Sequence, residues 1–364
     1  MVGIQDLKNA IKQEPINIVT HNDPDGLLAA AICTRGLNAL GADDIDYVFE
    51  SPSTIQQKKS RFLDPESDDF IGGFIIILDL PYHELARIWI DHHASELDAK
   101  PAPGTLIVVQ DTSKCAATLV YDFFKNQLGV KEKLCDPGFL EYVEARDIGR
   151  ALKINVKDYE VFSLAILEDR DDYNFFFDII DVLVEDLNPK RLAQDAKVML
   201  KAKKQKKQIN KGIELLHNMS VATERDEYFH QIDKESDKAV DDASKKRVFF
   251  YKKCLFFDFS DLDNPNKERE YGAVIPYYII EPELQKQNVQ YSFLLVYRGD
   301  EKTGEIHCTI SINQANADLV KNFDVSEFAK QKGGGGHRFV SGFSISPEQF
   351  LPTISHLLDF FKVE

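Results

Sequence analysis

"THNDPDGLLAA", Thr20–Ala30, sets a histidine and two aspartates at alternating positions between an apolar run and a stretch of small residues. Ile16–Thr20 has the β-like pattern of a short strand, and Gly26–Leu40 (GLLAAAICTRGLNAL) has the composition of a buried helix. His21, Asp23 and Asp25 therefore fall at a strand-to-helix turn. Taken alone, the stretch reads equally well as an Asx-type turn that N-caps the following helix.

Working outward, the same grammar repeats. Ile45–Phe49 is strand-like, and Phe74–Leu78 (FIIIL) is the continuous apolar run of a strand buried on both faces. Ile88–Ile90 and Leu106–Gln110 are further short runs, and Ser113–Phe124 reads as a helix. Strands alternating with helices predict a parallel, doubly wound α/β sheet. His21, Asp23, Asp25, Asp79, Asp91, His92, His93 and Asp111 all sit at or just beyond the C-terminal end of an apolar run. In open α/β sheets that edge is where ligands bind. Asp111 reads as a helix cap. Asp147, in EYVEARDIGR, is a further candidate, with Asp136 and Asp171 as rivals.

The second half differs. Asn188–Gly212 is rich in lysine with helical spacing and reads as a solvated linking helix, and Thr223–Lys246 is a polar excursion. Strand-like runs resume at Val248–Tyr251, Cys254–Phe257, Tyr291–Tyr297 and Ile306–Ile312, followed by a helix over Val325–Gln331. "KGGGGHRFVSGF", Lys332–Phe343, comes next, and Pro347–Val363 reads as a closing amphipathic helix. Consecutive glycines let backbone N–H groups turn toward an anion, and His337 and Arg338 would add charge-assisted donors. A tight turn between helix and strand is the plainer reading. These features predict three parts: residues 1–186 as a catalytic platform, 187–244 as helical linker and excursion, and 245–364 as a smaller mixed α/β substrate-binding domain.

The formal net charge is −16, which disfavours coating of long nucleic acid but leaves room for small anions in a local pocket. Five cysteines, with no CxxC, argue against a disulfide framework or thiolate zinc site and fit a reducing cytoplasm. The opening segment MVGIQDLKNAIKQEP has no apolar h-region, so no secretory signal is expected. The strongest apolar run, Phe74–Leu80, is interrupted by Asp79 and too short for a bilayer, so no membrane partner is expected. There is neither a GxSxG elbow nor a Walker A ending after the glycines.

The chemistry then narrows. Imidazole and carboxylate together suit divalent Mn²⁺, Co²⁺ or Zn²⁺. An acidic cluster of this size would repel itself without bound cations, and Asp79 at the end of an apolar strand is costly unless paired. Two histidines and four aspartates (His21, Asp23, Asp25, Asp79, His92 and Asp147) suit a two-metal site of the kind that displaces phosphoryl groups.

HNDPDG, the isolated Asp79, Asp91-His92-His93, Asp147 and the distal GGGGH, in that order over most of the chain, resemble the DHH phosphoesterase family in its branch with a DHHA1-type C-terminal domain. The resemblance implies that His21 and Asp23 bind one Mn²⁺, that Asp25, His92 and Asp147 bind a second, and that Asp79 bridges both. It implies that His93 faces the scissile phosphate, and that Gly333, Gly334, Gly335, Gly336 and His337 clamp substrate. Relatives often carry an arginine where this chain has Asn313, in Ser311-Ile312-Asn313; Arg298 is a candidate to compensate. The activity implied is Mn²⁺-dependent hydrolysis of short oligonucleotides, nanoRNase-like, with nucleoside 3′,5′-bisphosphate as a further substrate, in a cleft between the two domains. A RecJ-like exonuclease acting on single-stranded nucleic acid is the enzymatic alternative. A catalytically silent, replisome-associated scaffold is the alternative of another class. The sequence does not choose between a monomer and a homodimer.

Overall fold

The computed structural model describes residues 4–93, 99–148, 157–168, 172–185, 195, 197–204, 248–251, 254–258, 291–299, 304–313 and 316–362. The chain divides into two compact units, Met1–Gln205 and Lys206–Glu364. Thr223–Lys246 and most of Asn188–Gly212 lie outside the described residues, though 197–204 is helical.

In the first unit, a short helix α1 (Ile4–Ala10) precedes β1 (Ile16–His21), α2 (Pro24–Leu40), β2 (Ile45–Glu50), α3 (Pro52–Gln56), β3 (Phe74–Leu78), β4 (Ile88–Asp91) and β5 (Ile107–Gln110). Helices α4 (Ala116–Asp122), α5 (Pro137–Asp147), α6 (Lys157–Glu168) and α7 (Tyr173–Glu185) follow, α4 running on into a π-helical turn at Phe123–Gln127. The five strands form one sheet in the order β2-β1-β3-β4-β5, every pair parallel. The expected doubly wound topology is therefore present. The chain leaves β1 in one direction to reach β2 and returns on the other side of β1 to β3, so the strand order reverses between β1 and β3.

Alternation along the strands builds two apolar faces. Val19, Val48, Ile75, Ile77 and Trp89 pack under Ile55, Leu63, Leu80 and Ala86, and the Trp89 indole N–H donates to the Leu80 carbonyl at 2.9 Å. Ile16, Ile18, Phe74, Ile76, Leu78, Ile88 and Ile90 are buried on the alternate positions. Helix α2 packs against β1, α4 and α7. Two contacts decide how closely it can do so. Gly36 leaves room for the Phe124 ring, which a Cβ would meet at 2.3 Å, and Gly26 leaves room for the His21 carbonyl, also 2.3 Å from a Cβ. The buried Thr20 hydroxyl donates to the Gly26 carbonyl at 2.9 Å and ties the helix start to the strand end.

The second unit is built on a mixed sheet: β6 (Val248–Tyr251), β7 (Cys254–Asp258), β8 (Phe293–Gly299), β9 (Ile306–Ile312), β10 (Gly335–Gly336) and β11 (Val340–Ile345). Its order is β10-β11-β9-β8-β7-β6, antiparallel except where β7 meets β8. Helices α8 (Ala317–Asn322), α9 (Val325–Gln331) and α10 (Phe350–Phe360) belong to the same unit. Phe293, Leu295, Ile310, Ile312, Phe328 and Leu357 are fully buried in its core.

Candidate metal centre

Four chain segments meet at the C-terminal edge of the parallel sheet, at the point of strand-order reversal. His21 is the last residue of β1. Asp23 is the N-cap of α2, in extended conformation, and its Oδ1 accepts the Gly26 N–H at 2.9 Å. Its Oδ2 stays available and lies 3.1 Å from His21 Nδ1. The turn is thus both the helix cap that its composition suggests and a presenter of a second carboxylate oxygen. Asp25, one turn position further, is buried, and both its oxygens accept backbone N–H groups from α4: Oδ2 from Ala116 at 2.7 Å and Oδ1 from Ala117 at 2.8 Å.

Asp79 follows β3 directly. Its N–H donates to the Ile90 carbonyl at 3.0 Å, continuing the β3–β4 ladder, while its φ of 55° turns the residue into the left-handed region that side chains other than glycine avoid. The carboxylate points at two imidazoles: Oδ2 is 3.7 Å from His21 Nδ1 and Oδ1 is 3.2 Å from His92 Nε2. Neither oxygen forms a hydrogen bond, although both are buried. His92 Nε2 also lies 3.6 Å from Asp25 Oδ2 and 3.4 Å from Asp147 Oδ2, Asp147 being the last residue of α5. The rival Asp136 instead caps α5, accepting the Phe139 N–H at 3.0 Å, and Asp171 lies outside the described residues.

Among the groups of described residues close enough to hold a cation are two that share Asp79 and the histidines facing it: His21, Asp23 and Asp79; and Asp25, Asp79 and His92. In each, one ligand atom per residue lies within 4.8 Å of the others. Asp147 reaches the second set through His92. The bare oxygens of Asp79, common to both sets, fit divalent cations, since a buried carboxylate left without a donor is expensive unless a cation stands beside it. Four carboxylates and two imidazoles form a donor set suited to divalent cations.

The electrostatics show how the cluster neutralises itself with protons. Burial works against a charged His21, but Asp23 and Asp79 outweigh it and raise its pKa to about 10. His92 is raised well above the ordinary imidazole value: burial opposes this, and Asp147, Asp79 and Asp25 override it. Asp79 is held below the usual carboxylate range, burial being overcome by the two facing histidines. Burial pushes Asp25 upward, helped by repulsion from Asp79 and Asp147. Burial, with repulsion from Asp79 and Asp23, lifts Asp147 to about 7.

Asp91 has a role that the triplet did not reveal. It is fully buried, and its Oδ1 takes the His93 Nδ1–H at 2.8 Å. The Gln110 amide donates to the His93 carbonyl at 3.1 Å. His93 is therefore fixed at one ring nitrogen, beside His92 with ring centroids 4.6 Å apart. Asp111 accepts the Ser113 N–H at 2.9 Å and closes a turn ahead of α4.

In the second unit, the glycine run ends α9 and opens a hairpin. Gly333 and Gly334 N–H groups donate to the Lys330 and Ala329 carbonyls, and the His337 N–H donates to Val340. Gly335 pairs with Gly342 across β10–β11. Gly334 and Gly336 are demanded by packing: a Cβ would sit 2.1 Å from the Gly342 carbonyl oxygen in one case and 2.7 Å from Ser341 Cα in the other. The run is thus not an open nest of four amides, because the helix end and the hairpin take most of them. Arg338 donates to the Phe323 and Lys321 carbonyls at 3.3 and 3.0 Å, closing the end of α8. Asn313 is buried and donates to the Tyr291 carbonyl at 2.9 Å. Arg298 pairs through its backbone with His307.

The sheet and the cluster at its edge define an α/β domain with a candidate metal centre at its strand ends. The family model "DHH family, N-terminal domain" matches residues 15–144, so the first unit carries a DHH-family domain. Among solved structures, the chain resembles a pGpG-specific phosphodiesterase, PggH from Vibrio cholerae, at 17% identity over 95% of this chain and 99% of that one, with a TM-score of 0.51. It resembles RecJ from Thermus thermophilus in complex with Mn²⁺ at 14% identity over 99% of this chain and 54% of that one, with a TM-score of 0.52. It also resembles the DHH domain of a member of a family of ribosomal proteins at 13% identity, covering 99% and 90%, with a TM-score of 0.57. At such identities the likeness is one of fold. A search of curated protein sequences gave no match. Among the described residues no helix is long and apolar enough to cross a membrane.

Proposed function

We propose that the chain is a Mn²⁺-dependent phosphoesterase that hydrolyses short oligonucleotides, with nucleoside 3′,5′-bisphosphate as a second substrate. The observation that carries this is Asp79, a buried carboxylate with both oxygens bare, aimed at one histidine from each of two ligand sets. His21, Asp23 and Asp79 would hold one ion; Asp25, Asp79, His92 and Asp147 would hold the other. Such a pair supplies Lewis acidity toward the phosphoryl oxygens and a nucleophilic water at neutral pH. The chain's own contribution is placement. Asp79 ties the two sets together, and Asp91 holds His93 through Nδ1; the imidazole so oriented would act as a donor to a phosphate oxygen as charge develops there.

The second unit would be the DHHA1-type grip on the substrate. With the Gly333 and Gly334 amides engaged, Gly335, Gly336 and the His337 side chain would do most of the holding, while Arg338 and Asn313, bonded to backbone carbonyls, would keep the surrounding chain in place. The acidic chain favours short substrates over long polymers. Five buried free thiols support a cytoplasmic setting.

The test is hydrolysis of end-labelled dinucleotides, short oligomers and long single strands with Mn²⁺, for the wild type and Asp79→Ala. Fast cleavage of the short species is expected, with a loss of more than about 100-fold in the variant, beyond the range typical of outer-shell partners. Preference for long strands would favour the RecJ-like alternative. Normal turnover by Asp79→Ala would end the two-ion reading. Absence of both Mn²⁺ binding and hydrolysis in the wild type would favour the scaffold.

A further inference from the structure

Asp25 carries a bond pattern that ligand geometry alone does not call for. The first N–H groups of α4 have no partner of their own: the N-cap residue Cys115 makes no side-chain cap hydrogen bond. An unsatisfied N–H in this buried place would be costly. The partner comes from 91 and 92 residues earlier in the chain, where Asp25 Oδ2 accepts from Ala116 and Oδ1 from Ala117. Ala116, Ala117 and Asp25 are all buried to within 1%. Oδ2 also turns toward His92 Nε2 at 3.6 Å.

We propose that Ala116 and Ala117 are positioning residues for the second metal position, and that Asp25 is at once its ligand and the remote N-cap of α4. The two amides fix the plane of the carboxylate, so it cannot rotate to offer both oxygens to one ion. The small side chains of Cys115, Ala116 and Ala117 allow α4 to come this close to α2. Pull on Asp25 by an ion is pull on α4, so occupancy of this position and order at the helix start are linked. The ligand half of this inference rests on the function proposed above; the capping half does not.

Two experiments on the full chain separate the halves. The first is thermal unfolding in EDTA, followed by fluorescence of Trp89, the single tryptophan. Asp25→Asn puts an amide N–H where Ala116 or Ala117 needs an acceptor, and should lower Tm by about 2–8 °C, the range for a lost cap in a domain of this size. Asp147→Asn, which removes a neighbouring charge but no cap, should leave Tm unchanged or higher. Amide exchange at Ala116 and Ala117 should speed up about tenfold or more in Asp25→Asn. A Tm at or above wild type with unchanged exchange would overturn the cap, since relief of crowding among the carboxylates acts in that direction.

The second experiment is Mn²⁺ titration of Ala116→Pro and Ala116→Gly. Ala116 opens the helix, where proline is accepted, and Cys115 already has the extended backbone that proline requires before it. Proline removes the N–H; glycine keeps it. The proline variant should bind one Mn²⁺ as wild type and the other about tenfold or more weakly, with the glycine variant near wild type. Equal affinity at both positions in the proline variant would overturn the positioning role. Should that variant fail to fold, the exchange rates of Ala116 and Ala117 in wild type decide: slowing on addition of Mn²⁺ is expected, and no change would refute the linkage. Loss of Mn²⁺ binding by the wild type itself would sink the proposed function while leaving the cap intact.

Discussion

Replacing Gly26 with alanine tests whether the close approach of α2 to β1 sets the geometry of the proposed metal centre. The new Cβ would lie 2.3 Å from the His21 carbonyl oxygen and 2.9 Å from its carbon. A carbon–oxygen contact relaxes at about 3.3 Å, so the helix start must retreat by about 1 Å. Both partners are backbone, and rotation of a side chain cannot absorb the clash. Overpacking of this kind costs about 1–3 kcal/mol, and the better helix propensity of alanine returns about 1 kcal/mol. The net loss of about 0–2 kcal/mol leaves a domain of ordinary stability folded, with Tm lower by a few degrees at about 2–4 °C per kcal/mol. Function should suffer far more. Asp23 caps this helix start and Asp25 adjoins Gly26, so both move relative to Asp79 and His92, which are carried by β3 and β4. A misplacement of about 1 Å is worth about 100-fold in rate. Gly36→Ala is the control: a clash of the same depth in the same helix, but against the Phe124 ring and away from the cluster. Melting curves and Mn²⁺ titrations should show both variants destabilised, and only Gly26→Ala impaired in metal binding and turnover. Wild-type Mn²⁺ affinity and activity in Gly26→Ala would refute the reasoning.

Loading with Mn²⁺ should release protons. His21, with its pKa raised from 6.5 to about 10, holds a proton at pH 8 that must leave before Nδ1 can serve an ion. Calorimetry in buffers of different ionisation enthalpy should show about one proton or more per chain, and none would contradict this. The same shift makes the His21 proton stabilise the metal-free fold: fully below pH 6.5, with the contribution lost as pH rises through about 10. Urea melts of the EDTA-treated protein should weaken across that window, and His21→Gln should flatten the trend. Asp91→Asn should lower kcat about 10- to 100-fold while Mn²⁺ binding stays intact, because it loosens His93 and not a ligand; an unchanged kcat would remove Asp91 from the mechanism. Gly334→Ala, with its Cβ 2.1 Å from the Gly342 carbonyl oxygen, should destabilise the second unit by about 1–3 kcal/mol and leave Trp89 melting and Mn²⁺ affinity unaltered.

The parts of this molecule that were legible in the sequence are those with a side-chain signature. FIIIL predicted a strand buried on both faces, and Phe74–Leu78 is β3, at the centre of the sheet. Val248–Tyr251, Ile306–Ile312 and Val325–Gln331 are elements over the residues expected. The strand-end position of His21, Asp79 and His92 follows from where the apolar runs stop. What stayed hidden was carried by the backbone. The expected helix from Ser113 begins at Ala116, because Asp111 folds Ser113 into a turn of its own and the true cap, Asp25, arrives from another part of the chain. Alanine amides leave no trace in composition. The left-handed φ of Asp79 is likewise silent, since nothing about an aspartate before leucine demands it. Of the four consecutive glycines, Gly334 and Gly336 answer a packing need inside the hairpin, which their sequence context shares with an anion nest.

HNDPDG shows why the structural and the chemical reading of such a stretch need not exclude one another. A carboxylate has two oxygens. Asp23 commits one to the Gly26 N–H and keeps the other beside His21; Asp25 commits a lone pair of each to α4 and keeps the rest toward His92. Asp79 is the exception: no backbone N–H holds either oxygen, both face imidazoles, and it is the residue common to both ligand sets. The division has a physical consequence. The capping bonds hold Asp23 and Asp25 in place before any ion arrives, so the entropy of ordering them is met by folding rather than by binding. Raised histidine pKa values supply positive charge in the meantime, which allows the acidic edge to assemble around a well-packed sheet without cations. On the proposed reading, metal ions entering such a centre would exchange with protons in a preformed cage, and their binding should cost the chain little rearrangement beyond the release of those protons.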